Sequence, residues 1–350
     1  LASGGVLAID LAVSSNPSGI AALAAPTPPP VIVTNTANLA GTLRVHLTSP
    51  NGLFGDAYSF DDVIDATTII GNFSSVVSST GSPLLAVTAT KDAFANIDIT
   101  VQRVSFGAVP GLTFNQGAVG DGIEQVYDPS QTGPFGDLLA NLFLLDAADY
   151  PLALEQLTGA QTAGYLQAVR NGDQTLNSVI TEQGSCLFSE GGFDACRSPG
   201  DGLRMWATAG QQSASVDSDG NAPGHEAEHG FGVIGLDYVS GQAMFGGYVG
   251  YRTMDVDFDR QDGRIESDGW LLGARAGYDR GDFYVRGNAS YANLDGDSER
   301  SISILTTAGV AAGKPEVKTL SLYGEAGARF MVGKTWLSPF VAVDYDNVEL

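Results

Sequence analysis

Between residues 203 and 350 apolar and polar positions alternate with a period of two. Seven segments carry this pattern, roughly 203–216, 229–241, 243–257, 268–280, 282–295, 318–333 and 335–349, and it predicts antiparallel strands. In 282–295, Phe283, Val285, Gly287, Ala289 and Tyr291 share one face, while Tyr284, Arg286, Asn288 and Ser290 share the other. In 268–280, Trp270, Leu272, Ala274, Ala276 and Tyr278 oppose Arg275 and Asp279. In 318–333, Leu320, Leu322, Ala326, Ala328 and Phe330 alternate with Thr319, Ser321, Glu325 and Arg329. One apolar face and one charge-bearing face suit a membrane barrel, with lipid outside and water inside. The connections agree. Gly241-Gln242, Arg280-Gly281 and Gly333-Lys334 are tight turns, and they alternate with long polar stretches at about 217–228, 258–267 and 296–317. Short turns at one end and long loops at the other are the habit of outer-membrane barrels. Aromatics near strand ends form candidate interfacial girdles facing lipid: Trp206, Trp270, Tyr278, Phe283 and Trp336, with Tyr238, Tyr251 and Tyr345. The polar face offers Arg275, Arg286, Glu325 and Arg329 as candidates to line the lumen. A soluble antiparallel barrel with these aromatics in its core is the alternative.

The period changes upstream. From 151 to about 183, Leu154, Leu157, Ala160, Gln161 and Gly164 are followed by Leu166, Val169, Leu176, Val179 and Ile180, and the recurrence of apolar positions at three and four predicts an amphipathic helix. Asn171-Gly172-Asp173 is the expected interruption and Gly184 the expected stop. Residues 1 to about 150 read as short strands such as Val31-Ile-Val, Gly41-Thr-Leu-Arg-Val-His-Leu and Ile97-Asp-Ile-Thr-Val, separated by Gly, Asn, Ser and Pro turns. They suggest a sandwich or a β-solenoid. No fixed repeat period decides between the two.

Composition narrows the classes. The chain has 350 residues, 43% of them apolar, so packed domains are expected rather than wholesale disorder. Forty acidic against 17 basic residues, a net charge of −23, argue against a nucleic-acid partner. Cys186 and Cys196 lie in a Gly- and Ser-rich connection with no completed metal set nearby. A disulfide closing this short loop is the expectation, and it implies an oxidising compartment. No signal peptide and no run of about 20 apolar residues is visible. The chain opens mid-pattern at Leu1 and closes inside an alternating strand, so sequence is expected to continue at both ends.

Three stretches resemble the first half of the autotransporter translocator domain. Leu203-Arg-Met-Trp-Ala-Thr-Ala-Gly is similar to the family's first strand. Gly230-Phe-Gly-Val-Ile-Gly-Leu-Asp-Tyr is similar to the second, with its Gly-x-Asp element, and Phe245-Gly-Gly-Tyr-Val-Gly-Tyr to the third. Leu154-Glu-Gln-Leu-Thr-Gly-Ala resembles the start of the family's linker helix. Ala40-Gly-Thr-Leu-Arg-Val and Gly71-Asn-Phe-Ser-Ser-Val resemble the last coils of passenger β-helices. The resemblance implies a domain order of passenger end (1–150), linker helix (151–185), connector (186–202) and barrel (203–350). It implies type V secretion, in which a barrel in the Gram-negative outer membrane exports and anchors its own N-terminal passenger at the cell surface. It further implies partners in outer-membrane lipid, the barrel-assembly machinery, periplasmic chaperones and a host or surface ligand of the passenger. The fold class expected is all-β with one linker helix: a β-solenoid-like passenger tail, then a partial antiparallel outer-membrane barrel of about seven strands. Seven strands leave two unpaired edges, so further strands are expected after Leu350.

Motifs for chemistry are weak. His225-Glu-Ala-Glu-His229 spells the zinc-protease pattern His-Glu-x-x-His, which needs both imidazoles on one helical face. A loop precedes it and strand pattern follows at once, so a solvated outer loop is expected. Asp217, Asp219, Asn221 and Glu228 partly mimic a calcium loop, but Ala222 stands where Gly is required. His46 reads as an ordinary strand residue, and no nucleophile elbow, P-loop or dinucleotide fingerprint appears. Some autotransporters cleave their passenger within the linker helix at an Asn. Asn171 and Asn177 here read as plain helix-surface or turn residues. No enzyme, cofactor or metal is expected. The rival readings are an outer-membrane porin or adhesin with a periplasmic N-terminal domain, and a surface zinc metalloprotease.

Overall fold

The computed structural model describes residues 4–13, 21–22, 31–185, 201–260, 263–333 and 335–350, with only the backbone of 21–22, 184–185 and Trp336. Cys186 and Cys196, and the disulfide expected between them, lie outside the described residues. The chain divides into two compact units, one of Leu1–Thr158 with Ile302–Gly309, the other of Gly159–Ser301 with Val310–Leu350.

The first unit begins as a parallel β-solenoid. Its strands are β1 (Val6–Ala12), β2 (Ala21–Ala22), β3 (Val31–Leu39), β4 (Thr42–Thr48), β5 (Ala57–Gly71) and β6 (Ser75–Ser78). Val6 lies opposite Thr42, Thr42 opposite Ser75, and Val31 opposite Ile64, so successive coils return after 36, 33 and 33 residues. The two stretches that resemble passenger coils are thus stacked on each other. Alternate residues turn inward, and Ile9, Leu11, Leu43, Val45 and Ile64 are buried. Strands β7 (Leu85–Lys91) and β8 (Asn96–Arg103) then form an antiparallel hairpin on β5.

Beyond this hairpin the chain departs from the expectation of strands up to residue 150. Most of residues 114–157 are helical: α1 (Phe114–Val126), α2 (Gly133–Leu144) and α3 (Asp149–Leu157). Thr113 and Gln116 form a capping box on α1, Thr113 Oγ1 accepting from Gln116 N at 3.3 Å and Gln116 Oε1 from Thr113 N at 2.9 Å. Pro134 opens α2, where a missing N–H costs nothing. Leu139, Leu142, Phe143, Tyr150 and Leu154 join the solenoid residues in one core. Arg103, at the end of β8, ties hairpin to helix. Its guanidinium donates to both oxygens of Glu124 at 2.7 and 2.8 Å and to Asp56 at 2.9 Å, and it lies 4.6 Å from the Tyr127 ring centre. These hydrogen bonds hold the Glu124 carboxyl below the usual range, while burial pushes the Tyr127 phenol up to about 12. Residues 302–309 complete this core. Ile304 is buried, and Asn141 Nδ2 donates to the Ile304 carbonyl at 3.1 Å and to Thr307 Oγ1 at 2.8 Å.

The second unit pairs helix α4 (Ala160–Ser185) with an antiparallel sheet of β9 (Gly202–Val216), β10 (His225–Ser240), β11 (Ala243–Phe258), β12 (Arg264–Asp279), β13 (Phe283–Ile304), β14 (Thr307–Gly313), β15 (Glu316–Ala328) and β18 (Phe340–Glu349). Between the last two, β16 (Phe330–Val332) and β17 (Thr335–Leu337) form a small separate hairpin. Neighbours in the sheet follow chain order, β14 sitting off the main path on β13, and the sheet is open with β9 and β18 at its edges. All three expected long loops are shorter than the sequence suggests, the middle one because β12 already starts at Arg264. The strand after Gly224 starts at His225, and most of 296–317 is the β13–β14 hairpin. Polar residues on both faces of these strand ends hide the period of two in the sequence.

The helical segment also differs. It breaks at Thr158-Gly159, not at Asn171-Gly172-Asp173, through which α4 runs without interruption. The division therefore falls within the expected linker helix, α3 belonging to the first unit and α4 to the second. No described helix is long and apolar enough to cross a membrane.

Candidate functional site

The faces of the sheet sort by parity. Outward, Ile234, Leu236, Val249, Leu272, Val285, Leu320, Leu322, Val341 and Val343 are exposed apolar side chains. They lie between two rows of exposed aromatics. Tyr238, Phe245, Tyr278 and Phe283 stand near the tight turns, and Tyr251, Trp270, Tyr291 and Tyr345 stand further along the strands. On β12 the rows are Tyr278 and Trp270, roughly 26 Å apart along the strand, or roughly 20 Å along the membrane normal at the usual tilt. That height matches the lipid-facing band of an outer-membrane barrel. Beyond the second row the outward residues turn acidic, with Glu226, Glu228, Asp255, Asp257, Glu266, Asp295 and Asp297.

Of the candidate girdle residues, Trp270, Tyr278 and Phe283 are exposed on the outward face. The side chain of Trp336 lies outside the described residues. Trp206 is a correction: it faces inward. Its neighbour across the ladder is Gly235, whose absent side chain leaves the space the indole fills, since a Cβ there would lie 2.2 Å from the ring. Leu203 and Met205, not Trp206, occupy the outward positions of β9.

The inner face is covered by α4 along the helix's length. Tyr165 Oη donates to Ser267 Oγ at 2.8 Å, and Asp173 pairs with Arg252. Asn177 Nδ2 donates to Ser321 Oγ at 2.7 Å, while its carbonyl accepts from Asn288 at 2.9 Å. Asn177 is therefore buried among barrel side chains, not a plain surface residue. Nearer the helix C-terminus, Arg275 donates to Ile180 O at 2.6 Å and Arg286 to Thr181 O at 3.5 Å.

The four lumen candidates all lie on this face. Arg275 forks onto Asp237 at 3.1 and 2.5 Å, its guanidinium 4.1 Å from the Trp206 ring centre. Arg286 holds both oxygens of Glu325 at 2.9 Å, and Tyr284 donates to the same carboxylate at 2.6 Å. Arg329 pairs with Asp279 at 2.8 Å. Each cation meets a carboxylate on another strand, as a desolvated charge requires. Arg252, Asp173 and Asn177 were not singled out as lumen residues, although Arg252 shares the inward parity of its strand.

The inside is not the water-filled polar channel that the alternation implied. Tyr165, Ala168 and Val169 pack with Met254, Val256, Phe258 and Ile265, and Leu176 and Ile180 with Phe231, Val233, Tyr248 and Leu271. The gaps left beside His229 and beside Arg275 measure about 10 and about 20 Å³, room for a single water.

His225 and His229 are another correction. The motif is a strand, not a solvated loop, so both imidazoles point inward and are buried, while Glu226 and Glu228 point outward. A period of two separates the glutamates from the histidines, which is incompatible with helical zinc-protease chemistry. Asp219 Oδ1 instead caps its own loop, accepting from Asn221 N and Ala222 N at 2.8 and 2.7 Å. Among the described residues no cluster of three metal-ligating side chains forms.

Residues 205–350 match the model of the autotransporter β-domain. This segment belongs to the autotransporter β-domain family. The expected antiparallel sheet is the fold of this segment. The β-domain of the Bordetella autotransporter BrkA is similar, with 20% identity and a TM-score of 0.36, over 43% of this chain and 59% of that one. The translocator domain of the autotransporter NalP from Neisseria meningitidis is similar at 16% identity and a TM-score of 0.41, over 52% of this chain and 58% of that one. The chain thus spans about three-fifths of the length of each. No curated protein matches the chain in sequence.

Proposed function

We propose that this autotransporter β-domain exports and anchors its own N-terminal region, residues 1–158 and whatever precedes them, at the cell surface, with α4 as the plug left in the path of export. The observation that carries the reading is the seating of α4. One amphipathic helix, joining the two units in sequence, is hydrogen-bonded and packed along the inner face of a sheet whose outer face is an apolar band between aromatic rows. A chain that had passed through the barrel would end its journey with such a segment inside. The solenoid supports the direction of movement, because each coil of 33 to 36 residues folds on the one before and removes that length from the exit. The domain carries no catalytic role in this reading. The barrel-assembly machinery and periplasmic chaperones would deliver it, and any host ligand would belong to the passenger.

The test uses the complete reading frame in a Gram-negative host, with an epitope tag before Leu1. Protease on intact cells should remove the tag while residues 203–350 stay protected in the outer membrane. A tag reached only after the outer membrane is opened would reject the reading in favour of a porin-like protein with a periplasmic domain.

A further inference from the structure

The two histidines of β10 have a relation to α4 that neither export nor anchoring requires. The His225 ring lies against Gly164, where a Cβ would approach its Nδ1 to 3.3 Å, and the His229 ring lies against Gly172, where a Cβ would approach Nδ1 to 3.1 Å. Four strand residues span roughly 13 Å and eight helix residues about 12 Å. Both rings therefore enter both glycine notches in one register, with strand and helix running the same way. A Cβ at Gly164 would also meet Phe258 Cε1 at 2.9 Å and one at Gly172 would meet Met254 Cε at 2.9 Å, so helix and sheet are in close contact at both notches.

His229 is 3% exposed, and neither of its ring nitrogens has a hydrogen-bond partner. Its neighbours are Gln212 and Ala214 on β9, Met254 on β11, and Ala168 and Asn171 on α4. The charged groups facing it are Arg252 on β11, which acts on it as a like charge, and Asp173 on α4, which is committed to Arg252. Beside His225 the charged group is Asp259, just past β11. A neutral imidazole fits this setting as an apolar ring. A protonated one brings a positive charge to a buried ring whose two nitrogens have no hydrogen-bond partner and which stands beside a guanidinium.

We propose that His229, assisted by His225, is an acid-sensitive latch on α4: the neutral rings hold the N-terminal half of the helix on the sheet, and protonation releases it. The latch rests on the plug reading only for its biological use, because the ring-and-notch contacts exist whatever the domain exports. At pH 5, about one and a half units below the ordinary imidazole value, each histidine that must stay neutral favours the released helix by up to roughly 30-fold.

Amide hydrogen exchange of residues 160–175, in the full-length chain folded in detergent micelles, reads the latch directly. Protection at pH 7.5 and pH 5.0 is compared after correction for intrinsic exchange. The wild-type chain should lose protection in this segment by at least tenfold at pH 5.0, while residues 176–183 change little. His229→Phe should keep most of its protection at both pH values, and His229→Gln serves where the larger ring prevents assembly. Equal corrected protection of the wild type at both pH values would overturn the proposal, as would a loss in His229→Phe as large as that in the wild type. Because exchange is read on purified protein, this outcome is independent of whether the tag in the export experiment reaches the cell surface.

Discussion

A guanidinium withdrawn from water must have its charge met nearby, and Arg275 is met by Asp237, by a helix carbonyl and by the face of Trp206. Arg275→Ala leaves the Asp237 carboxylate buried and unpaired, at a cost of roughly 3–5 kcal/mol. Replacing both partners by apolar residues, Arg275→Met with Asp237→Leu, should recover most of that loss. Urea unfolding of the full chain in detergent, followed by tryptophan fluorescence, checks both. A double variant no more stable than the single one would show that the fork, rather than the burial of an unpaired charge, carries the stability. Parity alone, read from the sequence, placed Arg275, Arg286, Glu325 and Arg329 on the face where the structure has them. The size and hydrophobicity of Trp206 suggest a lipid-facing place, but its ring lies inward over Gly235. Its true position depends on Gly235 in the next strand, and no local pattern relates the two before the register is known.

At the scale of elements, the helices after residue 105 were legible in part. Thr113-Phe-Asn-Gln116 is a capping-box signature, and Gly133-Pro134 marks a helix start. Short spacing between turn-forming residues hid them in a region read as strands. The Arg103–Glu124 pair that binds α1 to β8 is a test of that packing. The Glu124 carboxyl is held below its ordinary value in the folded unit, so the pair stabilises above the usual glutamate range, and this is lost as pH falls through the folded value. Protease resistance of residues 85–157 should therefore decline between about pH 5 and pH 3. Glu124→Gln should flatten that decline while lowering resistance at pH 7. An unchanged acid profile would mean that other carboxylates govern it. The continuity of α4 through Gly172 belongs to the same scale. The glycine that suggested a break is retained as a notch for Met254 and His229, and packing holds the helix where propensity would weaken it.

For the whole molecule, the outward face of the sheet divides the chain's environment. Leu272 lies within the apolar band and Glu228 beyond its outer aromatic row. Leu272→Arg should reduce the stability of the lipid-inserted protein by roughly 2–4 kcal/mol, and Glu228→Arg by no more than about 1 kcal/mol. Urea titration of the complete protein in lipid vesicles measures the difference. Equal costs at the two positions would contradict the assignment of the band. Carboxylates beyond the band stand in rows where Glu228 faces Asp255 and Asp255 faces Glu266.

By itself the sequence determined the period-two strands, the inward and outward faces of the sheet, the amphipathic helix before it and the family of residues 205–350. These depend on neighbours one to four positions apart, a range over which side-chain direction follows directly from backbone geometry. Only the tertiary structure decided the rest. It stacked Thr42 on Ser75, because a solenoid coil needs hydrophobic positions of the right parity and not a repeated sequence. It turned Trp206 inward over Gly235. It made His225 and His229 buried strand residues against two helix glycines. Each of these is a contact between residues far apart in the chain, and the space left by one partner fixes where the other can go.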